Sequence, residues 1–112
     1  MINEKSEQIY KEAVEYIPGG VNSPVRAFKS VGLSPIFVDH AHGSKIYDVD
    51  GNEYIDYICS WGPLMLGHSP KELSEGIEEV IKKGTSYGVP TQIEVDMAKI
   101  IVEAYPAIDQ VR

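Results

Sequence analysis

The sequence predicts an α+β fold with an N-terminal helix, a small antiparallel β-meander and two further helices. Apolar residues recur at helical spacing in three segments, and β-rich runs flank the turn Asp50-Gly51-Asn52. The strands are grouped together and do not alternate with helices. With 112 residues, the chain is long enough for one small domain. We expect residues 1–112 to form that domain, with the boundaries 1–17 (helix), 18–35 (loop), 36–58 (meander) and 59–112 (loops and two helices).

The first predicted helix covers residues 3 to 17. Ile9, Ala13 and Tyr16 fall on one face, and Asn3 or Ser6 is a candidate N-cap. Pro18 and the two glycines after it end the helix. Residues 18 to 35 are rich in proline and glycine and show no period, which predicts a long ordered loop or a linker.

The meander is predicted from three short β-rich runs. The first is Ile36 to Val38, followed by a turn at residues 41–44. The second is Lys45 to Val49, and the third is Glu53 to Ile58. Asp-Gly between the second and third runs is a strong hairpin signal.

Two more helices follow a glycine-containing loop at residues 59–69. For the first, Ser69 is the expected N-cap, Pro70 the first helical residue and Glu72 the partner in a capping box. Gly84 is the expected stop. A second capping box begins at Thr91 and opens a helix to Ala104.

The charge balance limits the classes of partner. The chain has 10 basic and 17 acidic residues, for a net charge of −7. Nucleic acids and anionic membranes are bound by clustered Lys and Arg, so we expect neither as a partner. Cys59 is the only cysteine, no apolar signal segment opens the chain and no stretch is long enough to cross a bilayer. We therefore expect a cytoplasmic protein.

No metal site is expected. His40 and His42 alternate and could share a metal, but no Cys or third close His completes a site, so surface turn residues are the favoured interpretation. Asp48, Asp50, Asn52 and Glu53 resemble a calcium loop only superficially, because the glycine falls too early and the strand-forming flanks favour a plain turn. No complete catalytic constellation stands out either.

Three loop segments are candidate binding sites. Arg26 stands on a proline-rich loop, and its planar fork suits a carboxylate, with Ser23 as a second donor. An intramolecular salt bridge is the competing and, from the residues alone, favoured interpretation for Arg26. Trp61 lies among glycines, which fits either contact with a flat ligand or a core or interface anchor. Thr85, Ser86 and Tyr87 fit either a ligand or helix capping.

These segments together resemble one enzyme family. The runs are PGGVNSPVRAF, DVDGNEYIDY through SWGPLMLGH, and GTSYGVPTQIEVDMAKII. In this order they resemble the N-terminal region of glutamate-1-semialdehyde 2,1-aminomutases. The DGNEYIDY and LGHSP elements are shared more widely with class III aminotransferases, whereas VNSPVRAF and SWGP point to the aminomutase. The resemblance covers residues 6 to 112.

The resemblance implies the N-terminal part of a fold-type I, pyridoxal-phosphate-dependent transferase that works as a homodimer. The implied reaction is an isomerisation, the conversion of glutamate-1-semialdehyde to 5-aminolevulinate in tetrapyrrole (porphyrin and heme) biosynthesis. Arg26, assisted by Ser23, matches the family arginine that binds the carboxylate of this small, amino-acid-derived substrate. Trp61 matches a tryptophan beside the substrate pocket, and Thr85, Ser86 and Tyr87 match a nearby loop.

The resemblance also implies what this chain lacks. Family members are several times longer, and their cofactor-phosphate loop would begin just after Arg112, with the Schiff-base lysine further on. We therefore expect no catalytic or cofactor-binding residue within the chain, and neither tight pyridoxal phosphate binding nor turnover by it alone. We also expect exposed apolar faces on the last two helices. Another class III aminotransferase and a non-catalytic interaction or assembly module remain as alternatives.

Overall fold

In the computed structural model, residues 2–112 are described and fall into two compact units, one ending at Ser74 and the other spanning Glu75–Arg112. Met1, part of the predicted helical segment, lies outside the described residues. The helices are α1 (Glu4–Tyr16), α2 (Lys71–Ile81) and α3 (Gln92–Ala104), and the strands are β1 (Val38–His42), β2 (Lys45–Asp48) and β3 (Glu53–Ile55). The predicted α+β class is confirmed. That residues 1–112 act as one domain stays a prediction.

The three strands form an antiparallel sheet in the order β1-β2-β3. Ala41 pairs with Ile46, and Ile46 pairs with Tyr54, so β2 is the central strand. The first predicted turn was placed too early, because β1 continues through His42 and the chain reverses at Gly43 and Ser44. The third strand was predicted too long and ends at Ile55.

The hairpin turn between β2 and β3 caps helix α1. One oxygen of the Asp50 carboxylate accepts from the Lys5 N–H at 2.8 Å, and the other accepts from the Ser6 N–H at 2.9 Å. Asn3 occupies the N-cap position, but its side chain makes no capping hydrogen bond. The buried Ser6 hydroxyl instead accepts from the Phe37 N–H at 3.3 Å. The predicted local cap is thus replaced by a distant carboxylate that meets the same unpaired N–H groups.

A second carboxylate, Asp48, holds the turn itself together. Asp48 is only 3% exposed, and one of its oxygens accepts from the backbone N–H groups of Asp50 and Asn52 at 3.0 and 2.8 Å. Its other oxygen accepts from the Asn52 amide and the Tyr54 hydroxyl, both at 2.8 Å. With both oxygens bound by the turn and by Tyr54 of β3, Asp48 acts as a structural group.

These contacts shift three pKa values. Burial acts to raise the pKa of Asp48, but hydrogen bonds, led by those from Asn52, outweigh burial and place it below the ordinary 3.8. Desolvation likewise acts to raise the pKa of Asp50. The hydrogen bonds from the Lys5 and Ser6 N–H groups outweigh it, so the pKa of Asp50 is lowered. Burial and the hydrogen bond to Asp48 raise the pKa of Tyr54 to about 12.

The segment 18–35 is more regular than predicted. It contains three single-turn 3₁₀ helices, Pro18–Gly20, Pro24–Ala27 and Lys29–Val31. Gly20 is buried against α1 with a positive φ of 72°, and a β-carbon there would lie 2.5 Å from the Tyr10 ring. Only glycine fits this contact, which fixes the start of the loop to the helix.

The starts of α2 and α3 differ from the predicted capping boxes. Ser69 has a left-handed φ of 49°, and its hydroxyl donates to the Ala41 carbonyl at 3.3 Å, so Ser69 does not cap α2. Thr91 is the N-cap residue of α3 as predicted, but its hydroxyl bonds the Glu94 carboxylate at 3.1 Å instead of a backbone N–H. The α2 helix ends at Ile81, three residues before Gly84.

Among residues 2–112 few are buried, and all of these lie in the first unit. They are Ser6, Gly20, Ala27, Pro35 and Asp48. The apolar stripes of α2 and α3 are largely exposed, as Ile77 at 43% and Ile93 at 63% illustrate. Exposed apolar faces of this kind mark interaction surfaces.

None of the helices formed by residues 2–112 has the length and apolar character needed to cross a membrane.

The lowered pKa values of Asp48 and Asp50 predict acid sensitivity. A carboxyl group with a lowered folded-state pKa stabilises the fold above its ordinary pKa, and this contribution is lost as the pH falls through 3.8 toward the folded-state value. We expect the urea midpoint of the chain to fall between about pH 5 and pH 3. In the D50N variant the urea midpoint should be lower at pH 7 and should decline less steeply with falling pH. Circular dichroism measures the unfolding at each pH.

The matched control is D109N, because Asp109 is exposed and its carboxylate has no hydrogen-bond partner within residues 2–112. D109N should keep the wild-type pH profile. A profile for D50N that overlays that of D109N would contradict the capping role of Asp50.

Candidate functional site

Arg26 is presented on the second 3₁₀ turn of the loop. Pro24 opens this turn, and the Arg26 N–H donates to the Ser23 carbonyl at 2.9 Å. The neighbouring Ala27 is buried at 4% exposure, whereas Arg26 is exposed. Phe28 closes the turn in a left-handed conformation with φ of 55°. One buried anchor and a fixed backbone turn therefore hold the arginine outward.

The guanidinium of Arg26 takes part in no ion pair or side-chain hydrogen bond with the described residues 2–112. The intramolecular salt bridge that we favoured from the residues alone is therefore absent from this part of the chain. The five donors of the guanidinium are available to an external acceptor. A planar carboxylate is the group that matches their fork.

Trp61 stands on an exposed loop whose backbone is left-handed. Cys59, Ser60 and Trp61 have φ values of 50°, 50° and 66°, and the Trp61 side chain is 72% exposed. The exposure argues against a core anchor within the first unit, whereas it is compatible with an interface anchor. Consecutive left-handed residues other than glycine each cost free energy, and such strain persists only where other contacts hold the backbone.

The two ends of this loop meet at Asp56 and His68. His68 Nε2 and Asp56 Oδ2 lie 2.7 Å apart, with side-chain exposures of 19% and 10%. The Asp56 Oδ1 atom accepts from the Ile58 and Cys59 N–H groups at 2.8 and 3.1 Å. The contact with His68, followed by these backbone N–H groups, lowers the pKa of Asp56. The sequence does not predict this contact, because two residues twelve positions apart leave no periodic signal.

Thr85, Ser86 and Tyr87 lie in the second unit, at a cleft of about 710 Å³ between the end of α2 and the start of α3. The Tyr87 hydroxyl lies 2.5 Å from the Lys83 carbonyl oxygen and 3.0 Å from that of Gly84. These carbonyls follow the last turn of α2, so Tyr87 caps the helix end. Thr85 and Ser86 line the same cleft and remain candidates for ligand contact.

The six predicted site residues are thus divided between the units. Ser23, Arg26 and Trp61 belong to the first, and Thr85, Ser86 and Tyr87 belong to the second. A backbone hydrogen bond joins Ser23 directly to Arg26. Their roles toward a substrate stay predictions.

The lysines of the chain do not fit the anchor of a pyridoxal cofactor. A lysine that forms a Schiff base is activated by desolvation or by a neighbouring cation, which lowers its pKa. The described lysines are exposed except Lys45, which is half-buried. Lys45 pairs with Glu53, and the hydrogen bond to this carboxylate raises the lysine pKa, the opposite of activation. No step through such a cofactor can be assigned to these side chains.

The two alternating histidines, expected in a surface turn, lie instead on a strand. Within 2–112, no group of three or more His, Cys, Asp or Glu side chains is placed to hold a metal ion. His40 and His42 lie on strand β1, where His40 stacks on the Tyr47 ring at 4.5 Å.

Comparison with known proteins gives consistent matches. Residues 28–112 match the family model described as Aminotransferase class-III. The chain is 77% identical to a glutamate-1-semialdehyde 2,1-aminomutase of Clostridium novyi (strain NT), over 96% of this chain and 25% of the relative. It is 57% identical to the enzyme of the same name from Syntrophomonas wolfei, over 100% of this chain and 26% of the relative.

A solved structure described as a transaminase with PLP bound has the same fold over this region. The TM-score is 0.87 at 36% sequence identity, with 97% of this chain and 25% of that chain covered. The chain therefore spans about a quarter of the length of the curated relatives it matches.

The capping contact of Tyr87 predicts a stability effect. We expect Y87F to lower the free energy of unfolding by about 0.5–1 kcal/mol, because one partly exposed hydrogen bond to the end of α2 is lost. Urea denaturation followed by circular dichroism measures this change.

Y105F is the matched control, since Tyr105 is 62% exposed in the same unit and its hydroxyl has no partner among the described residues. Equal stability of Y87F and Y105F would refute the capping role and leave the Tyr87 hydroxyl free for a ligand.

Proposed function

Because the chain belongs to the class-III aminotransferase family, we propose that it forms the substrate-carboxylate-binding part of a glutamate-1-semialdehyde 2,1-aminomutase. The observation that carries the proposal is the Arg26 guanidinium, which is exposed on a 3₁₀ turn and unpaired within residues 2–112. The 77% identity to the Clostridium novyi aminomutase supports this choice within the family. The conversion makes 5-aminolevulinate for tetrapyrrole synthesis.

The chemistry of the substrate suits the proposed arrangement. Glutamate-1-semialdehyde carries one carboxylate, at the opposite end from the amino and aldehyde groups that react. A bidentate grip on this carboxylate fixes the direction in which the reacting carbons point. Arg26 supplies the grip, and the Ser23 hydroxyl, three residues earlier, is the proposed second donor.

The other site residues have supporting roles in the proposal. The exposed Trp61 ring offers a flat apolar face to the short carbon chain of the substrate. Thr85 and Ser86 offer hydroxyl groups, while Tyr87 holds the end of α2 and thereby the loop that carries them. Pyridoxal phosphate, when bound, supplies the electron sink for the amino exchange.

The proposal extends to assembly and location. The exposed apolar residues of α2 and α3, such as Val80 and Met97, support a homodimer or another extended interface.

We propose a cytoplasmic site of action, supported by the free thiol of Cys59, which is exposed and forms no disulfide.

A chimera tests the function. Residues 1–112 would replace the corresponding quarter of the Clostridium novyi relative, and the purified protein would be assayed for 5-aminolevulinate formed from glutamate-1-semialdehyde. Formation without an added keto acid is the expected result. A requirement for an external amino acceptor would instead indicate another class III aminotransferase, and an inactive chimera that folds and binds cofactor would overturn the proposal.

Substitution of Arg26 in this chimera predicts a loss of substrate affinity. Loss of a charge-assisted bidentate contact should reduce kcat/KM by roughly 10- to 100-fold in R26Q, mainly through a higher KM. R26K should recover only part of the loss, because an ammonium group lacks the planar fork. Steady-state kinetics measures both changes.

K29Q serves as the matched control, since Lys29 is an exposed cation on the next 3₁₀ turn of the same loop. Its kinetics should equal those of the unsubstituted chimera. An R26Q variant that behaves like K29Q would remove Arg26 from the site without refuting the aminomutase activity itself.

A further inference from the structure

The loop between Asp56 and His68 is closed at its base by polar contacts. The two side chains lie 2.7 Å apart and are largely shielded from solvent. At the C-terminal end of the loop, the Gly43 N–H donates to the His68 carbonyl at 2.9 Å, and the His68 N–H donates to the Gly43 carbonyl at 2.8 Å. The backbone of His68 is therefore tied to the sheet, and its imidazole reaches back to the start of the loop.

Gly67 makes this double contact possible. Its φ is +78°, and a β-carbon there would lie 2.7 Å from the Gly43 carbonyl oxygen. Any other residue would push the two backbones apart. The sheet contact at the loop's far end is thus a close backbone approach, which places the His68 ring at a fixed distance from Asp56.

Packing does not explain the shape of the loop. Tyr57, Met65 and Leu66 are 88%, 90% and 81% exposed, so apolar burial contributes little to holding them. The left-handed backbone of Cys59, Ser60 and Trp61 needs some compensating interaction. The Asp56 carboxylate supplies one, because its Oδ1 atom binds the N–H groups of Ile58 and Cys59, where the left-handed turn begins.

From this geometry we infer that Asp56 and His68 are positioning residues: His68 fixes the Asp56 carboxylate, which holds the left-handed turn and thereby sets the direction of Trp61. The ligand that Trp61 faces is that of the proposed function, on which this part of the inference rests. Neither side chain needs to touch the substrate. Their contribution is to keep the indole ordered before the substrate arrives, which lowers the ordering cost of binding.

The test uses the 112-residue chain and two signals from the loop. Trp61 is its only tryptophan, so the indole bands of the near-ultraviolet circular dichroism spectrum report the order of this one side chain. Hydrogen exchange measured by NMR reports the amides of Ile58 and Cys59 directly. In H68L we expect weaker indole bands and roughly tenfold or faster exchange of both amides, because the carboxylate loses its partner.

H68Q and H42L are the comparison variants. The glutamine amide can place a donor near the position of the imidazole Nε2 atom, so H68Q should retain most of both signals. His42 is exposed on β1, and its ring has no hydrogen-bond partner among the described residues, so H42L should match the wild type. Amides of the central strand β2 report global unfolding, and they should exchange at the wild-type rate in H68L.

Two results would overturn the inference. One is an H68L variant whose indole bands and loop amides equal those of H42L. If H68L also accelerates hydrogen exchange of the β2 amides, the variant is globally destabilised. The exchange of the loop amides is then compared between H68Q and H68N, whose side chains carry the same amide group at different lengths. Equal exchange of the loop amides in those two variants is the second overturning result. Neither signal involves substrate, so both would persist if the proposed aminomutase activity failed.

Discussion

The first unit depends on two carboxylates in one hairpin turn. Asp48 gathers the backbone of the turn around its buried side chain, and Asp50 projects from that turn to cap α1. Together Asp48 and Asp50 join α1 to the sheet in a unit that has few buried residues. Hydrogen bonds to charged groups are stronger than those between neutral groups, which suits a unit whose apolar burial is small. The helix in turn supports Gly20, where the loop that carries Arg26 begins.

A second pair of carboxylate contacts, at Asp56, repeats this arrangement at the Trp61 loop. In both places an aspartate accepts from two backbone N–H groups that open a helical turn, right-handed after Asn3 and left-handed after Asp56. The chain thus orders its irregular segments by fixed charges where side-chain packing is sparse. Asp48, Asp50 and Asp56 are therefore committed to backbone contacts.

Sequence reasoning located what local periodicity encodes. The three helices, the meander and the Thr91 N-cap position follow from spacing and turn chemistry over a few residues. The cap of α1 and the Asp56–His68 contact did not follow, because they join residues 45 and 12 positions apart. Ser69 was misassigned because a tertiary contact with Ala41 competes with its local capping role. Motifs named Arg26 and Trp61 as candidates, whereas the exposure of both residues and the left-handed backbone of Trp61 are visible only in the structure.

An unpaired guanidinium at Arg26 is unexpected in a chain with a net charge of −7. With 17 acidic and 10 basic residues, the protein as a whole repels anions, and an arginine would ordinarily find a carboxylate of its own. Beyond about 8 Å, exposed charges are largely screened at physiological ionic strength, so the immediate surroundings of Arg26 decide what it binds. The 3₁₀ turn is anchored by buried Ala27, and the Arg26 guanidinium forms no ion pair with a carboxylate of residues 2–112. An anion that reaches this turn therefore meets a guanidinium that no side chain of residues 2–112 has paired, and a planar carboxylate can bind it through two hydrogen bonds.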